Sequence, residues 1–274
     1  MIENKNVLAI IGVGNMAKSI ISGIISSDVS VSQIILYDKN TEQYADFNSN
    51  NVEITVANSI TEAVSSSNYV LLSVKPQNYP EVLSEISDVP DCKSKNYISI
   101  GAGITSNSVS AALKNAAVVR VLPNLPMLIG KGTSVICENN NIPRESFNFV
   151  CDIFKSAGSI LIIDESEMNR IIGVTSSSPA YVFKFINAIY KGALAQGITD
   201  NGLLDAICDM VIGSALLLKQ SSDSPEILIS KVASKGGTTE QALKSLNGCN
   251  FDMIIENAMR ACTKRADELG QTSK

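Results

Sequence analysis

The residues best placed to do chemistry come early in the chain. Gly12-Val13-Gly14-Asn15-Met16-Ala17 is a G-x-G-x-x-A turn. It follows an apolar run, Val7 to Ile11, and precedes Met16, Ile20, Ile21 and Ile24, apolar residues at helical spacing. Buried strand, glycine turn and helix stand in the order that a dinucleotide site requires. Gly12 permits the tight turn, Gly14 lets the backbone approach a pyrophosphate, and Ala17 lets the helix pack closely on the strand. The free N–H groups and partial positive charge of the helix N-terminus would face the phosphates. Glycines so spaced also occur in plain strand–helix turns, so the context carries the inference. Asp38 ends a second apolar run, Ile34 to Tyr37, and lies 24 residues after Gly14. That is near where a Rossmann acid meets the adenosine ribose. Lys39 follows it. An acid favours a free 2′-hydroxyl and a lysine can hold a 2′-phosphate, so NADPH and NADH both stay open; Lys39 equally fits a solvated turn.

What the chain lacks narrows the chemistry. It contains no histidine, which removes Ser–His and Cys–His catalysis and histidine metal sites together; no metal is expected. Proton transfer falls to carboxylates, lysine, tyrosine, hydroxyls or water. The cysteines, at 92, 137, 151, 208, 249 and 262, form no C-x-x-C pair and read as reduced thiols of a cytoplasmic protein. A formal net charge of −5 argues against nucleic acid or an anionic membrane as partner. The first apolar run has no basic stretch before it and is too short for a signal peptide. No segment approaches the roughly 20 apolar residues of a membrane helix.

The elements that must position these residues alternate. Further strands are expected at Val52–Val56, Tyr69–Val74, Tyr97–Ile100, Ala117–Leu122, Thr133–Cys137 and Ser159–Ile163, with a helix near Arg144–Lys155 before the last. Asn58 is the expected N-cap of the helix that runs to about Ser66. Ligands of open α/β sheets bind beyond the carboxyl ends of the strands. Lys75-Pro76 therefore stands at the lip of one strand, and the small residues Gly101-Ala102-Gly103 beyond another. Pro123-Asn124-Leu125-Pro126 makes a stiff turn in which Asn124 can hydrogen-bond. The rhythm stops at Ile163, and everything from Glu165 on reads as helix. Long helices are expected over Ala180–Gln196 and Asn201–Gln220, then one capped by Ser224-Pro225, and others from Glu240 and Phe251. The second long helix is apolar on more than one side, as expected if a second subunit covers it. The expectation is thus an α/β Rossmann-type domain over residues 1–163, followed by an all-α dimerisation and substrate domain over 164–274. Between the last helices, Gly236-Gly237 can bare consecutive N–H groups just before a helix begins near Thr239, an arrangement that binds carboxylates. A glycine break with Thr239 as N-cap fits the same residues.

Taken together the motifs resemble the pyrroline-5-carboxylate reductases, and the resemblance runs almost end to end. It is carried by Ile11-Gly-Val-Gly-Asn-Met16, Ser73-Val-Lys-Pro76, Ile100-Gly-Ala-Gly103, Arg120-Val-Leu-Pro-Asn-Leu-Pro126, Ser176-Ser-Ser-Pro-Ala-Tyr-Val-Phe183 and Gly236-Gly-Thr-Thr-Glu240. The first two are shared with many Rossmann dehydrogenases; the last two, in this order, are specific. The resemblance implies cofactor contacts at Ile11, Gly12, Val13, Gly14, Asn15 and Met16, at Asn58, at Ser73, Val74, Lys75 and Pro76, and at Ile100, Gly101 and Ala102. It implies a proline-ring pocket lined by Ser234, Gly236, Gly237, Thr238 and Thr239, bordered by Glu165. It also implies a homodimer built by the helical domain, with pockets shared between subunits, and dimers that often assemble, five together, into a decamer. The chain departs from the family at Lys235, where proline is usual, at Leu125, where threonine is common, and at Ser176, where glycine is common.

The implied reaction is NAD(P)H-dependent reduction of 1-pyrroline-5-carboxylate to proline, with NADPH as the expected cofactor and NADH as the alternative. An iminium accepts hydride far better than an imine, so the ring nitrogen must be protonated, from solvent or with help from the hydroxyl of Thr239. Two other readings compete. Lys184 and Asn187 share a helix face, as does the proton-moving pair of the β-hydroxyacid dehydrogenases, although a solvated lysine on an amphipathic helix accounts for Lys184 as well. A non-catalytic nucleotide-binding regulator of the same fold is the other.

Overall fold

The computed structural model describes residues 6–44, 47, 49, 51–137 and 141–272. Its centre is an eight-stranded sheet in the order β3-β2-β1-β4-β5-β6-β7-β8. The strands are β1 (Val7–Ile11), β2 (Gln33–Tyr37), β3 (Glu53–Val56), β4 (Tyr69–Leu72), β5 (Asn96–Ser99), β6 (Ala117–Leu122), β7 (Gly132–Cys137) and β8 (Gly158–Ile163). All neighbours pair in parallel except β6 and β7. Side chains of a strand alternate between faces, and both faces of this sheet are covered. Leu8 and Ile10 lie in one apolar cluster with α1 (Asn15–Ile25) and α5 (Arg144–Lys155). Ala9 and Ile11 lie in another with α2 (Ile60–Ser65), α3 (Tyr79–Ser87) and α4 (Ser106–Ala112). Burial on both faces is why β1 and β4 read as unbroken apolar runs rather than alternating ones. The strand order reverses at β1, between β2 and β4, and this switch point opens a crevice at the strands' carboxyl ends.

Packing divides the chain differently from the change of rhythm at Asp164. One compact unit comprises residues 1–177 together with 259–274, and the other comprises 178–258. A third apolar cluster of the first unit joins Leu122 and Val135 to Met168 of α6 (Met168–Ile171), to Ile172, and to Ala266 of α11 (Phe251–Thr272). After α6 the helix widens into a π turn, Ile172–Ser176, closed by the Ser177 N–H on the Ile172 carbonyl at 2.9 Å. The second unit holds α7 (Ser178–Ala195), α8 (Leu203–Gln220), α9 (Pro225–Val232) and α10 (Thr238–Gly248). The N-cap of α9 is Ser224, whose hydroxyl accepts from the Ile227 N–H, and Pro225 occupies its first turn. The six cysteines form no disulfide. Among the described residues no helix is long and apolar enough to cross a membrane.

Candidate active site

The glycine turn has the geometry expected of a phosphate cradle. Gly12 sits at φ +93°, and a Cβ there would lie 2.8 Å from the Ser73 carbonyl oxygen, so β1 and β4 can close on each other only with glycine at this position. Gly14 is the N-cap residue of α1 and no side chain caps the helix. A Cβ on Gly14 would meet no protein atom within 4 Å. The space over Gly14 is therefore open, and the first N–H groups of α1 have no acceptor within the helix. This is the test a pyrophosphate sets, and the residues pass it. A cavity of about 290 Å³ continues from the turn. Its walls include Ile11, Gly12 and Gly14 on one side, Ser73, Val74 and Lys75 on another, and Tyr37, Asp38 and Lys39 at the far end. The structure thus brings the expected cofactor residues of β1, β2 and β4 to one crevice.

Two of these residues are engaged in ways that spacing does not show. One oxygen of Asp38 accepts from the Val13 N–H at 2.7 Å, and the other accepts from the Asn40 N–H at 2.8 Å. The acid fastens β2 to the glycine turn as well as facing the cavity. Lys39 Nζ donates to Glu81 Oε1 of α3 at 2.7 Å. Asn58 does not cap α2: the cap is Ser59, whose hydroxyl accepts from the Glu62 N–H. Asn58 instead gives both its backbone N–H and its amide N–H to Glu62 Oε2, at 2.8 and 3.1 Å. Ser59 supplies the N-cap half of a capping box one residue later than expected, while Glu62 reaches past it to the residue before the cap; the Asn58 side-chain oxygen stays unengaged by that pair.

Beyond β5, the backbone is braced at Gly101 by Tyr79. Its buried hydroxyl accepts from the Gly101 N–H at 2.9 Å and also contacts the Leu72 carbonyl and the Ser99 hydroxyl, each at 3.0 Å. Burial pushes this phenol up to about 12, so it stays protonated and serves as a brace. Beside it, Asn124 spans the turn after β6. Its side-chain oxygen accepts from the Thr133 N–H at 2.8 Å, and its amide N–H donates to the Thr175 carbonyl at 3.1 Å.

Glu165 sits at the end of the same sheet. Arg120, on β6, donates to its Oε1 at 2.9 Å. Burial alone would raise this carboxyl, but Arg120, with smaller contributions from the Cys137 and Ser106 side chains, holds it below the usual carboxylate value. The Cys137 thiol is pushed up to about 12, by burial first and by the neighbouring carboxylate second. It is a buried neutral thiol rather than a nucleophile. Sequence reasoning quoted Arg120 in a motif without giving it a role, and it missed Tyr79. The available signal for Arg120 was a lone charge inside an apolar strand.

In the second unit, the glycine loop differs in detail from expectation. Helix α10 starts at Thr238 with Gly237 as its N-cap residue, and no side chain caps it, so Thr239 is inside the first turn. The Gly236 N–H is not bare: it donates to Glu240 Oε2 at 2.7 Å, and the Gly237 N–H donates to the Ser234 carbonyl at 3.0 Å. The donors left at this end of α10 include the N–H groups of Thr238 and Thr239, which have no acceptor within the helix, and the two threonine hydroxyls. Ser234 and Lys235 are exposed beside them. Lys184 and Asn187 are both exposed on α7.

Comparison with known proteins adds to this geometry. Residues 165–269 match the family model described as pyrroline-5-carboxylate reductase dimerisation, and residues 7–103 match that described as NADP oxidoreductase, coenzyme F420-dependent. The pyrroline-5-carboxylate reductase of Haemophilus influenzae is 34% identical over 96% of this chain and 97% of its own. That of Escherichia coli is 31% identical over 70% of this chain and 71% of its own. Among solved structures, Plasmodium falciparum pyrroline carboxylate reductase with NADP bound superimposes with a TM-score of 0.84 at 25% identity, over 98% of this chain and 100% of that one.

Proposed function

We infer the chemistry from kinship: the chain belongs to the pyrroline-5-carboxylate reductase family and is an NAD(P)H-dependent oxidoreductase that reduces the C=N bond of 1-pyrroline-5-carboxylate, giving L-proline. The observation that carries the reading within this chain is the open cradle over Gly14, between a glycine that must be glycine and an uncapped helix. Bound in that crevice, the nicotinamide supplies the hydride.

The residues divide the remaining work. Ile11 to Met16 hold the pyrophosphate through backbone N–H groups, with Asn58, Ser73 to Pro76 and Ile100 to Ala102 as further cofactor contacts. NADPH is the proposed cofactor, its 2′-phosphate taken by Lys39, with NADH as the alternative. Ser234, Gly236, Gly237, Thr238 and Thr239 form the substrate loop. Because the Gly236 and Gly237 N–H groups are already engaged, the N–H groups of Thr238 and Thr239 are the better carboxylate donors, supported by the α10 dipole. Thr239 is the catalytic hydroxyl, helping to keep the ring nitrogen protonated. Glu165 borders the pocket. Fixing the carboxylate and holding the ring at near-attack distance account for the rate without a strong acid. The enzyme works as a cytoplasmic homodimer, five of which form the decamer.

A cofactor-oxidation assay with 1-pyrroline-5-carboxylate and each nicotinamide tests the activity; absence of substrate-dependent oxidation would leave the regulator reading. Thr239→Ala should lower kcat/KM about tenfold, the loss of one hydrogen bond near 1.4 kcal/mol in the transition state. Cofactor affinity should be unchanged, and Thr239→Ser should recover most of the rate. A wild-type rate in Thr239→Ala would move the substrate to another loop.

A further inference from the structure

Arg120 heads the wholly buried side chains of the chain by size, with 1% of its surface exposed. By strand alternation it lies on the same face of β6 as Val118 and Leu122, both apolar. A buried charge is tolerated only when it is paired and hydrogen-bonded, so its partners identify what it is kept for. Nη1 holds Glu165 Oε1 at 2.9 Å. Nη2 donates to Asn169 Oδ1 at 2.5 Å, and Asn169 Nδ2 donates in turn to Asp267 Oδ1 at 2.7 Å. The Ser106 N–H donates to the same Glu165 oxygen at 3.3 Å. The other Glu165 oxygen, Oε2, is buried without a hydrogen-bond partner among the described residues.

We propose that Arg120, Asn169 and Asp267 are positioning residues: a directed relay that fixes Glu165 by one oxygen and so sets the orientation of its carboxylate for the substrate. The proposal rests on the reading that Glu165 borders that pocket. The polarity of the relay is what makes it specific. Asn169 can accept from the guanidinium and donate to Asp267 only with its amide in one orientation, and Asp267 selects that orientation from α11. The guanidinium, gripped on its second nitrogen by Asn169, then presents its first to Glu165 in fixed geometry. A carboxylate at the pocket is thereby set by a residue near the far end of the chain, one that touches neither substrate nor cofactor.

Asp267 is exposed, so removing its side chain tests the relay without opening the core. Asp267→Ala should raise the KM for 1-pyrroline-5-carboxylate about threefold to tenfold. Thermal midpoint, sedimentation and NADPH affinity should stay at their wild-type values. Asp267→Asn keeps an acceptor oxygen and should restore the KM. In a Glu165→Gln background, Asp267→Ala should add nothing further, because both act through the same carboxylate. If Glu165→Gln raises the KM while Asp267→Ala leaves it at wild type, the relay is overturned and the pocket assignment survives. If Glu165→Gln itself leaves the KM unchanged, the pocket assignment fails and the relay falls with it. Asn169→Leu, which cuts both links at once, must show at least the Asp267→Ala effect, and a wild-type KM there overturns the proposal independently.

Discussion

The two compact units keep their apolar side chains in opposite places. Around the sheet, the large hydrophobic residues of β1, β4, β5 and the helices on either face are almost wholly hidden. Among the described residues of the 178–258 unit, Ile207 is the one hydrophobic side chain in the buried class, while Phe183, Ile212, Leu217 and Val232 are each more than half exposed. A chain rarely presents so many large apolar side chains to solvent unless something covers them. The sheet unit has a complete core within one chain, whereas the helical unit is composed for company. Its match to a dimerisation model names that company as a second copy.

Charging the helical surface should break this contrast most severely. Ile212→Asp combined with Leu217→Asp places two carboxylates on α8 where an apolar partner surface is expected. Association should weaken by about 100-fold or more, the scale of losing central interface residues worth about 3 kcal/mol. Sedimentation at low micromolar concentration should show monomer, and NADPH should still bind the sheet unit. A dimer of unchanged affinity would mean that α8 faces no subunit.

A smaller effect separates fold from site within the sheet unit. Gly14→Val should lower the thermal midpoint only slightly, since an added Cβ meets no protein atom within 4 Å and the cost is that of a poorer N-cap residue. It should weaken cofactor binding about tenfold to 100-fold by blocking backbone approach. Gly12→Ala, at φ +93° and against the Ser73 carbonyl, should do the reverse of a clean site mutant and lower stability itself by about 1–3 kcal/mol. Calorimetric titration beside thermal melts distinguishes them; equal melting losses in both variants would refute the cradle.

The smallest effect concerns the adenosine end. Glu81 neutralises Lys39 across an exposed pair, and solvent screening keeps exposed pairs weak. Glu81→Gln should therefore lower the KM for NADPH by about threefold at low salt, leave that for NADH in place, and lose its effect as ionic strength rises. An unchanged NADPH-to-NADH ratio would remove Lys39 from the phosphate site.

What could be read beforehand follows physical range. The β1–turn–α1 unit was legible because its strand, glycines and helix are contiguous and each obeys a local rule. The strands of the sheet were placed to within two residues at either end for the same reason. Helix starts were less legible: Asn58 and Ser59, or Gly237 and Thr239, stand within two residues of each other with competing capping chemistry, and Glu62 and Glu240 each close back on the loop before the helix. Arg120 was illegible in role because its partners stand 45 and 49 residues away on other elements. Asp38 was found by its spacing, but its bond to the Val13 N–H depends on how closely β2 and the turn pack. The division into packing units was hidden because the chain leaves the sheet unit after Ser177 and re-enters it at Met259.

That re-entry governs the order in which the protein can be finished as it leaves the ribosome. The helical unit, residues 178–258, is continuous in the chain. The sheet unit is not: its third cluster holds Leu122, Val135, Cys137, Met168 and Ile172 waiting for Ala266. The earlier residues of this cluster therefore keep an apolar face uncovered until Ala266 has been made. Unfinished chains stalled before α11 should be the species that aggregate or engage chaperones, since a sheet begun at Val7 is completed only by a helix ending at Thr272.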